Sequence, residues 1–340
     1  MKILVLPASG PGFINQFAIM QCISETEWRP DVIFSSSGGN VVAYSTVAGN
    51  WKWAGIERIA SELNKDLFIK PWHDVAILSY IIGYFKGQKY DSGIGVEHFL
   101  HYYFTPKSIC DYEIWTGTYC SNERKTRLFC NKAKEDCVLN VDEAFDLHVT
   151  QSMEPYYANG NIPLIANACF ASASIPALIP PRIIEDKQYI DGCVSGASPL
   201  VSLQGLLLDK TKQGEELHII YANSVNLDHF ERKRIKNMVD TWHQAASDLI
   251  KTQTVIDRMA GIHLLKAQKG ICKKTMDIPF NTETMKSIMK KQKKHRYTLV
   301  EVYPSMNYDV SLETFAGKDI VEAMKKAYPI LKCRIFWVKE

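Results

Sequence analysis

The chain has 340 residues, 46% of them hydrophobic and 23% charged, with a net charge of +3. That much apolar material can bury a large core, so a globular protein is expected, and no composition break marks a linker between separate domains. No apolar run approaches the roughly 20 residues that cross a bilayer, and Met1 to Pro7 is too short for the core of a signal sequence, so the expectation is an intracellular protein, soluble or peripherally membrane-associated.

Lys2 to Leu6 reads as a strand that runs through Pro7, Ala8 and Ser9 into Gly10-Pro11-Gly12-Phe13-Ile14-Asn15. Phe13, Phe17 and Met20 then recur at helical intervals, and a proline suits a helix start because its missing N–H has no partner there. Glycine amides at a helix start can hold a developing oxyanion, reinforced by the helix dipole. Pro11 cannot donate, which leaves Gly10 and Gly12. A phosphate loop is excluded because no Lys-Ser or Lys-Thr follows, and a dinucleotide fingerprint is poor because Asn15 stands at the third glycine position.

Val32, Ile33 and Phe34 form a second apolar strand that breaks into Ser35-Ser36-Ser37-Gly38-Gly39. Val41, Val42, Tyr44 and Val47 follow at helical spacing. A strand, a tight turn and a helix hold a serine hydroxyl up for attack, and Ser37 sits at the corner. The same residue types also make ordinary loops. Trp51 to Tyr90 is rich in aromatic residues and reads mostly as core, although its place after the elbow helix also suits an acyl-chain groove or lid.

Further on, Ala171-Ser172-Ala173-Ser174-Ile175-Pro176 leads to Pro180-Pro181 and then to Tyr189-Ile190-Asp191-Gly192-Cys193, where Asp191 ends a short strand and enters a turn. An Asp-Gly pair alone is an ordinary turn. His218, His229, His243, His263 and His295 lie downstream of it, in the order that a Ser-Asp-His triad uses in α/β-hydrolases, but none carries a supporting motif. His218 reads as a strand residue and His243 as a helix residue. The nine cysteines are odd in number, and Cys110, Cys120, Cys130 and Cys137 lack the close pairs of a zinc site.

Charge is unevenly spread: residues 226 to 296 carry sixteen Lys and Arg against seven Asp and Glu. Ile235, Met238, Val239, Trp242, Ala245 and Leu249 share one helical face there, and Lys290 to Arg296 forms a basic run. A solvated helix face is the plain explanation. On a phospholipid substrate, the segment 286–296 offers a peripheral contact with an anionic membrane. Nucleic acid is the rival partner, and no recognised binding motif supports it.

With these segments in hand, the chain resembles the patatin-like phospholipases over residues 1 to about 225. Gly10 to Asn15 corresponds to that family's glycine-rich oxyanion loop, Ser35 to Gly39 to its G-x-S-x-G elbow, and Asp191-Gly192-Cys193 to its D-G-[GA] motif. Ala171 to Pro181 with Tyr189 to Gly192 looks like its small-residue helix, double proline, hairpin and aspartate. Ser198-Pro199 stands where the family has Asn-Pro, Gly93 to Phe104 looks like a helix, and Glu113 to Cys120 with Thr126 to Asn131 resembles a strand pair.

The resemblance implies a three-layer α/β/α fold with a largely parallel central sheet, residues 1–225 forming the catalytic core and 226–340 a basic, mainly helical continuation of the same domain. It also implies a serine acylhydrolase of lipid esters that needs no metal or organic cofactor. Ser37 would be the nucleophile and Asp191 the general base of a Ser-Asp dyad, with Gly10, Gly12 and Gly38 as the oxyanion hole and Gly39 and Gly192 supporting the motifs. Cys193 would line the site, or simply pack there. Pro11, Asn15 and Ser35 depart from family glycines, and Ile14 replaces the usual basic residue. Those departures motivate the alternative of a catalytically weak lipid-binding or scaffold protein.

Overall fold

Alternation along the first strand sets the layering, because successive side chains of a strand point to opposite faces. Leu4 and Leu6 enter one hydrophobic core, and Ile3 and Val5 enter another on the far side of the sheet. The computed structural model describes all residues except 68, 72, 74, 88–90, 93–108, 110, 140–152, 177, 196–199, 201–203, 227–247, 249–250, 253–254, 257, 269–270, 307–315 and 340. The expected helix at 93–104, the six residues of the apolar helical face between 235 and 249 and the Ser198-Pro199 pair lie outside the described residues.

In chain order the strands are β1 (Lys2–Leu6), β2 (Val32–Ser36), β3 (Ile69–Lys70), β4 (Asp91–Ser92), β5 (Glu113–Cys120), β6 (Lys125–Cys130), β7 (Met153–Tyr157), β8 (Arg182–Ile184), β9 (Lys187–Asp191), β10 (Leu217–Ala222), β11 (Ile271–Lys274), β12 (Ile278–Pro279), β13 (Tyr297–Pro304) and β14 (Leu331–Lys339). The helices are α1 (Phe13–Ser24), α2 (Gly38–Ala48), α3 (Trp53–Glu62), α4 (Ala76–Lys86), α5 (Ile162–Ser172), α6 (Gln204–Lys212), α7 (Thr282–Gln292) and α8 (Gly317–Ala327).

The main sheet runs β11-β14-β13-β10-β1-β2-β5-β6-β7, and β13, β10, β1, β2 and β5 are mutually parallel. β14 joins antiparallel to β13, and the β8–β9 hairpin attaches through β9 antiparallel to β5. Residues of α1, α2, α3, α5, α7 and α8 cover one face, while α6 with Leu264 and Leu265 covers the other. The fold is therefore a three-layer α/β/α sandwich with a mixed, mostly parallel sheet. The chain leaves β1 toward β2 on one side and returns as β10 on the other. Such a switch point opens a crevice at the carboxyl ends of parallel strands.

Beside its helices, the described part of the continuation from residue 226 includes β11 to β14, and β13 pairs directly with β10 inside the main sheet. Short, charge-broken apolar runs such as Tyr297 to Tyr303 hide a buried strand behind a basic segment. The stretch from Trp51 to Tyr90 read mostly as core, but α4 and its approach leave Val75, Ile77, Leu78, Ile81 and Phe85 exposed, Phe85 at 82%. A helix that is apolar all round gives periodicity no single face to name.

Candidate active site

The corner at Ser37 follows from its neighbours. β2 is buried along its whole length, and α2 begins at Gly38 with Ser37 as its N-cap. Ser37 has φ 52° and ψ −131°, a conformation that a residue with a Cβ rarely adopts. Strain of this kind costs of order 1–3 kcal/mol and persists only where the surroundings over-determine it. Gly39 explains the tight entry: a Cβ there would lie 2.2 Å from Leu6 O.

Two bonds fix the main chain around the corner. Asn40 N–H donates to Ser37 O at 3.0 Å, and Ser37 N–H donates to Ser172 Oγ at 2.9 Å. The Ser172 hydroxyl in turn donates to Gly117 O at 2.5 Å. Beneath the turn, Ser35 Oγ donates to Asn40 Oδ1 at 2.6 Å and Thr116 Oγ1 donates to the same oxygen at 3.1 Å. Ser35 is thus a strand residue whose hydroxyl bonds the first turn of α2.

The glycine-rich loop sits against the elbow. A Cβ on Gly38 would lie 2.5 Å from Ser9 Oγ and 2.8 Å from Gly10 O, so the two segments are in contact. Gly10 itself has φ 48°, which a glycine takes at no steric cost. The loop closes as a turn in which Gly12 N–H donates to Ser9 O at 2.9 Å and Phe13 N–H to Gly10 O. Gly12 therefore spends its amide within the loop, and Gly10 and Gly38 are left as the expected oxyanion donors.

The departures from glycine have occupations of their own. Asn15 Nδ2 donates to Ser224 O at 2.8 Å, and Gln16 Nε2 reaches Pro7 O and Ala222 O at 3.0 and 3.1 Å. These bonds tie the loop to the end of β10. Ile14 is fully buried in the core.

Asp191 ends β9, where it pairs with Thr118 of β5. A Cβ on Gly192 would lie 2.7 Å from Gly117 O, so β5 stands between the elbow and the aspartate turn. Asp191 is fully buried, and Oδ1 accepts from Cys193 N–H at 2.9 Å. Burial raises its pKa to about 6, and hydrogen bonding from Cys193 and from the Ser37 side chain holds that rise back. Among the described residues, Asp191 Oδ2 has no hydrogen-bond partner. Catalytic hydrogen bonds commonly tighten only once substrate is bound. Cys193 is buried against Ala8, and desolvation with the neighbouring carboxylate drives its thiol pKa well up.

The structure thus brings Gly10, Gly38, Ser37 and Asp191 together. The described downstream histidines are elsewhere. His218 is buried on β10 opposite Lys2, at the amino end of β1, where it contacts Thr298 Oγ1 and desolvation lowers its pKa to about 4. His263 is exposed, His295 stacks near Trp337, and His229 and His243 lie outside the described residues. Sequence reasoning missed Ser172, Asn40 and Thr116. The available signal was serine on a helix of otherwise apolar, buried residues, because a buried hydroxyl must find partners.

Strands of this sandwich end in a serine corner, a glycine loop and a buried carboxyl. A family model described as patatin-like phospholipase matches residues 4–203, and no curated protein gives a significant match. The chain belongs to the patatin-like phospholipase family, which places it among lipid acylhydrolases and implies lipid substrates. Among the described residues, no helix is long and apolar enough to cross a membrane.

Proposed function

We propose that the protein is a serine acylhydrolase acting on carboxylic esters of lipids through Ser37 and Asp191. The observation that carries this reading is the strained Ser37 corner beside a fully buried carboxyl whose pKa is raised to about 6. An ordinary aspartate is too acidic to be an effective base at neutral pH, and burial corrects that. Ser37 Oγ attacks the ester carbonyl while Asp191 takes its proton, and the amides of Gly10 and Gly38 hold the oxyanion. Collapse expels the alcohol, which receives that proton. Asp191 then deprotonates a water that attacks the acyl-serine, the acyl–Oγ bond breaks, and Asp191 returns the proton to Ser37 Oγ as the carboxylic acid leaves.

Ser37→Ala tests the reading: fluorophosphonate labelling and ester turnover should both vanish while the fold persists. Turnover at the wild-type rate would end it. A weakly catalytic lipid-binding protein is favoured by one observation, that Pro11 has no amide and Gly12 spends its own on Ser9 O. Liposome retention without hydrolysis across a broad panel of lipid esters would select that second reading.

The same proposal includes a peripheral contact of segment 286–296 with anionic membranes, where each basic residue near the surface contributes on the order of 1 kcal/mol. Lys286, Lys290, Lys293 and Lys294 are exposed. The run leads into the amino end of β13, since Leu217 N–H bonds Arg296 O and Leu217 pairs with Tyr297. Gly10 and Ser37 leave the carboxyl ends of β1 and β2, one strand length away, about 17 Å for five residues. The contact is therefore an anchor and does not line the site.

A further inference from the structure

We propose that Ser172 is a positioning residue for the nucleophile: its hydroxyl grips the main-chain N–H of Ser37 and holds the elbow in its strained conformation. The inference rests on the hydrolase reading above and adds a residue to it. Ser172 ends α5 and is fully buried. A serine hydroxyl has one proton to give and can accept in return. Here the proton goes to Gly117 O at 2.5 Å, and the oxygen accepts from Ser37 N–H at 2.9 Å. The direction of both bonds is thereby fixed.

Gly117 is a fixed anchor. It lies in β5 directly beside Ser36 of β2, and the Gly192 turn presses on its carbonyl. The chain Gly117 O, Ser172 Oγ, Ser37 N therefore ties the elbow to the strand that also pairs with Asp191. Two residues beyond Ser172, Ser174 O accepts Asp191 N–H at 3.0 Å. One helix end thus sets the main chain of the nucleophile and of the base together. The bond also occupies the Ser37 amide, which removes it from the oxyanion donors and leaves that work to Gly10 and Gly38.

The test compares Ser172→Ala with Ser172→Thr, which keeps a hydroxyl, and Ser172→Cys, which offers only a weak acceptor of similar size. Ser172→Ala should lower kcat and the rate of fluorophosphonate labelling by about 10- to 100-fold, the effect of a small misplacement of the nucleophile, with KM nearly unchanged. Ser172→Thr should recover most of the loss, and Ser172→Cys, useful if the alanine variant does not fold, should fall between. In hydrogen exchange, the Ser37 amide should open at least about 10-fold faster in the alanine or cysteine variant, while β1 and β10 keep their protection. Wild-type labelling rates, or an unchanged Ser37 amide, would overturn the inference and leave the hydrolase reading standing. Turnover retained in Ser37→Ala would overturn the hydrolase reading instead, and amide exchange would still decide whether Ser172 holds the elbow.

Discussion

The Ser35 hydroxyl and Asn40 Oδ1 share a buried hydrogen bond of 2.6 Å across the serine turn. Position 35 is where the family pattern has glycine, so a return to glycine would be expected to relax the elbow. The bond argues the opposite. Ser35→Gly should destabilise the protein by about 1–2 kcal/mol, from the lost hydrogen bond and the freer main chain, and lower kcat at the same time. Urea unfolding with parallel ester kinetics checks both, and a more stable or faster Ser35→Gly would refute the assignment.

Strain at Ser37 gives a second prediction. Ser37→Gly should be more stable than Ser37→Ala by about 1 kcal/mol or more, because glycine adopts φ 52° without steric cost and alanine does not. Glycine loses more freedom on folding, so the net gain will be smaller than the full strain. Equal unfolding midpoints for the two variants would show that the corner stores none.

Asp191 should impose a pH dependence on both rate and stability. As the base, it must be ionised, so kcat/KM should rise with pH through about 6. Its folded pKa lies above the 3.8 of an unperturbed aspartate, so the native state holds the proton more tightly than the unfolded chain. Its favourable contribution is complete below pH 4 and is lost as pH rises through about 6, a change on the order of 3 kcal/mol. Asp191→Asn removes that loss. The variant should be inactive, and its stability relative to wild type should improve between pH 4.5 and pH 8, as measured by urea unfolding at the two values.

The glycine loop and the elbow can be separated. Gly38→Ala drives a Cβ to 2.5 Å from Ser9 Oγ and 2.8 Å from Gly10 O, so the loop must move off the elbow. Turnover should fall about 100-fold or more, the size seen when one oxyanion donor is lost. Gly12→Ala meets Ser224 at 3.2 Å, and its amide is already bound to Ser9 O. That variant should lose less than about 10-fold. The order of the two losses, read as kcat, is the check.

Replacing Lys286, Lys290, Lys293 and Lys294 together by alanine should weaken retention on phosphatidylserine vesicles by about 100-fold or more and leave retention on neutral vesicles unaltered. Hydrolysis of a soluble short-chain ester should stay at the wild-type rate. A slowed soluble reaction would mean that the run communicates with the site.

Much of the fold was legible because it is written locally. Ile3 to Leu6 and Val32 to Phe34 are uninterrupted apolar runs, as buried parallel strands must be, and each ends in the glycine or serine turn that marks the carboxyl edge. Asp191 could be read only through the long segment from Ala171, since an aspartate before a glycine is chemically anonymous. Ser172 and Asn40 were not legible as site residues. Their partners, Ser37 N, Gly117 O and the Ser35 hydroxyl, are brought to them by sheet order, which no local pattern encodes. The strands β13 and β14 were hidden for a related reason, because their burial comes from pairing across a long sequence gap with β10 and with each other.

The position of the lysine-rich run relative to the serine gives the molecule a polarity. The two lie at opposite ends of the parallel strands of one sheet, the run before β13 and Ser37 after β2, so a molecule bound to an anionic surface through the run would turn its serine end outward. If both proposals hold, the anchoring surface would not be the lipid within reach of Ser37. One strand length would then separate the serine from the carrying surface, and an ester would have to reach it from the other side.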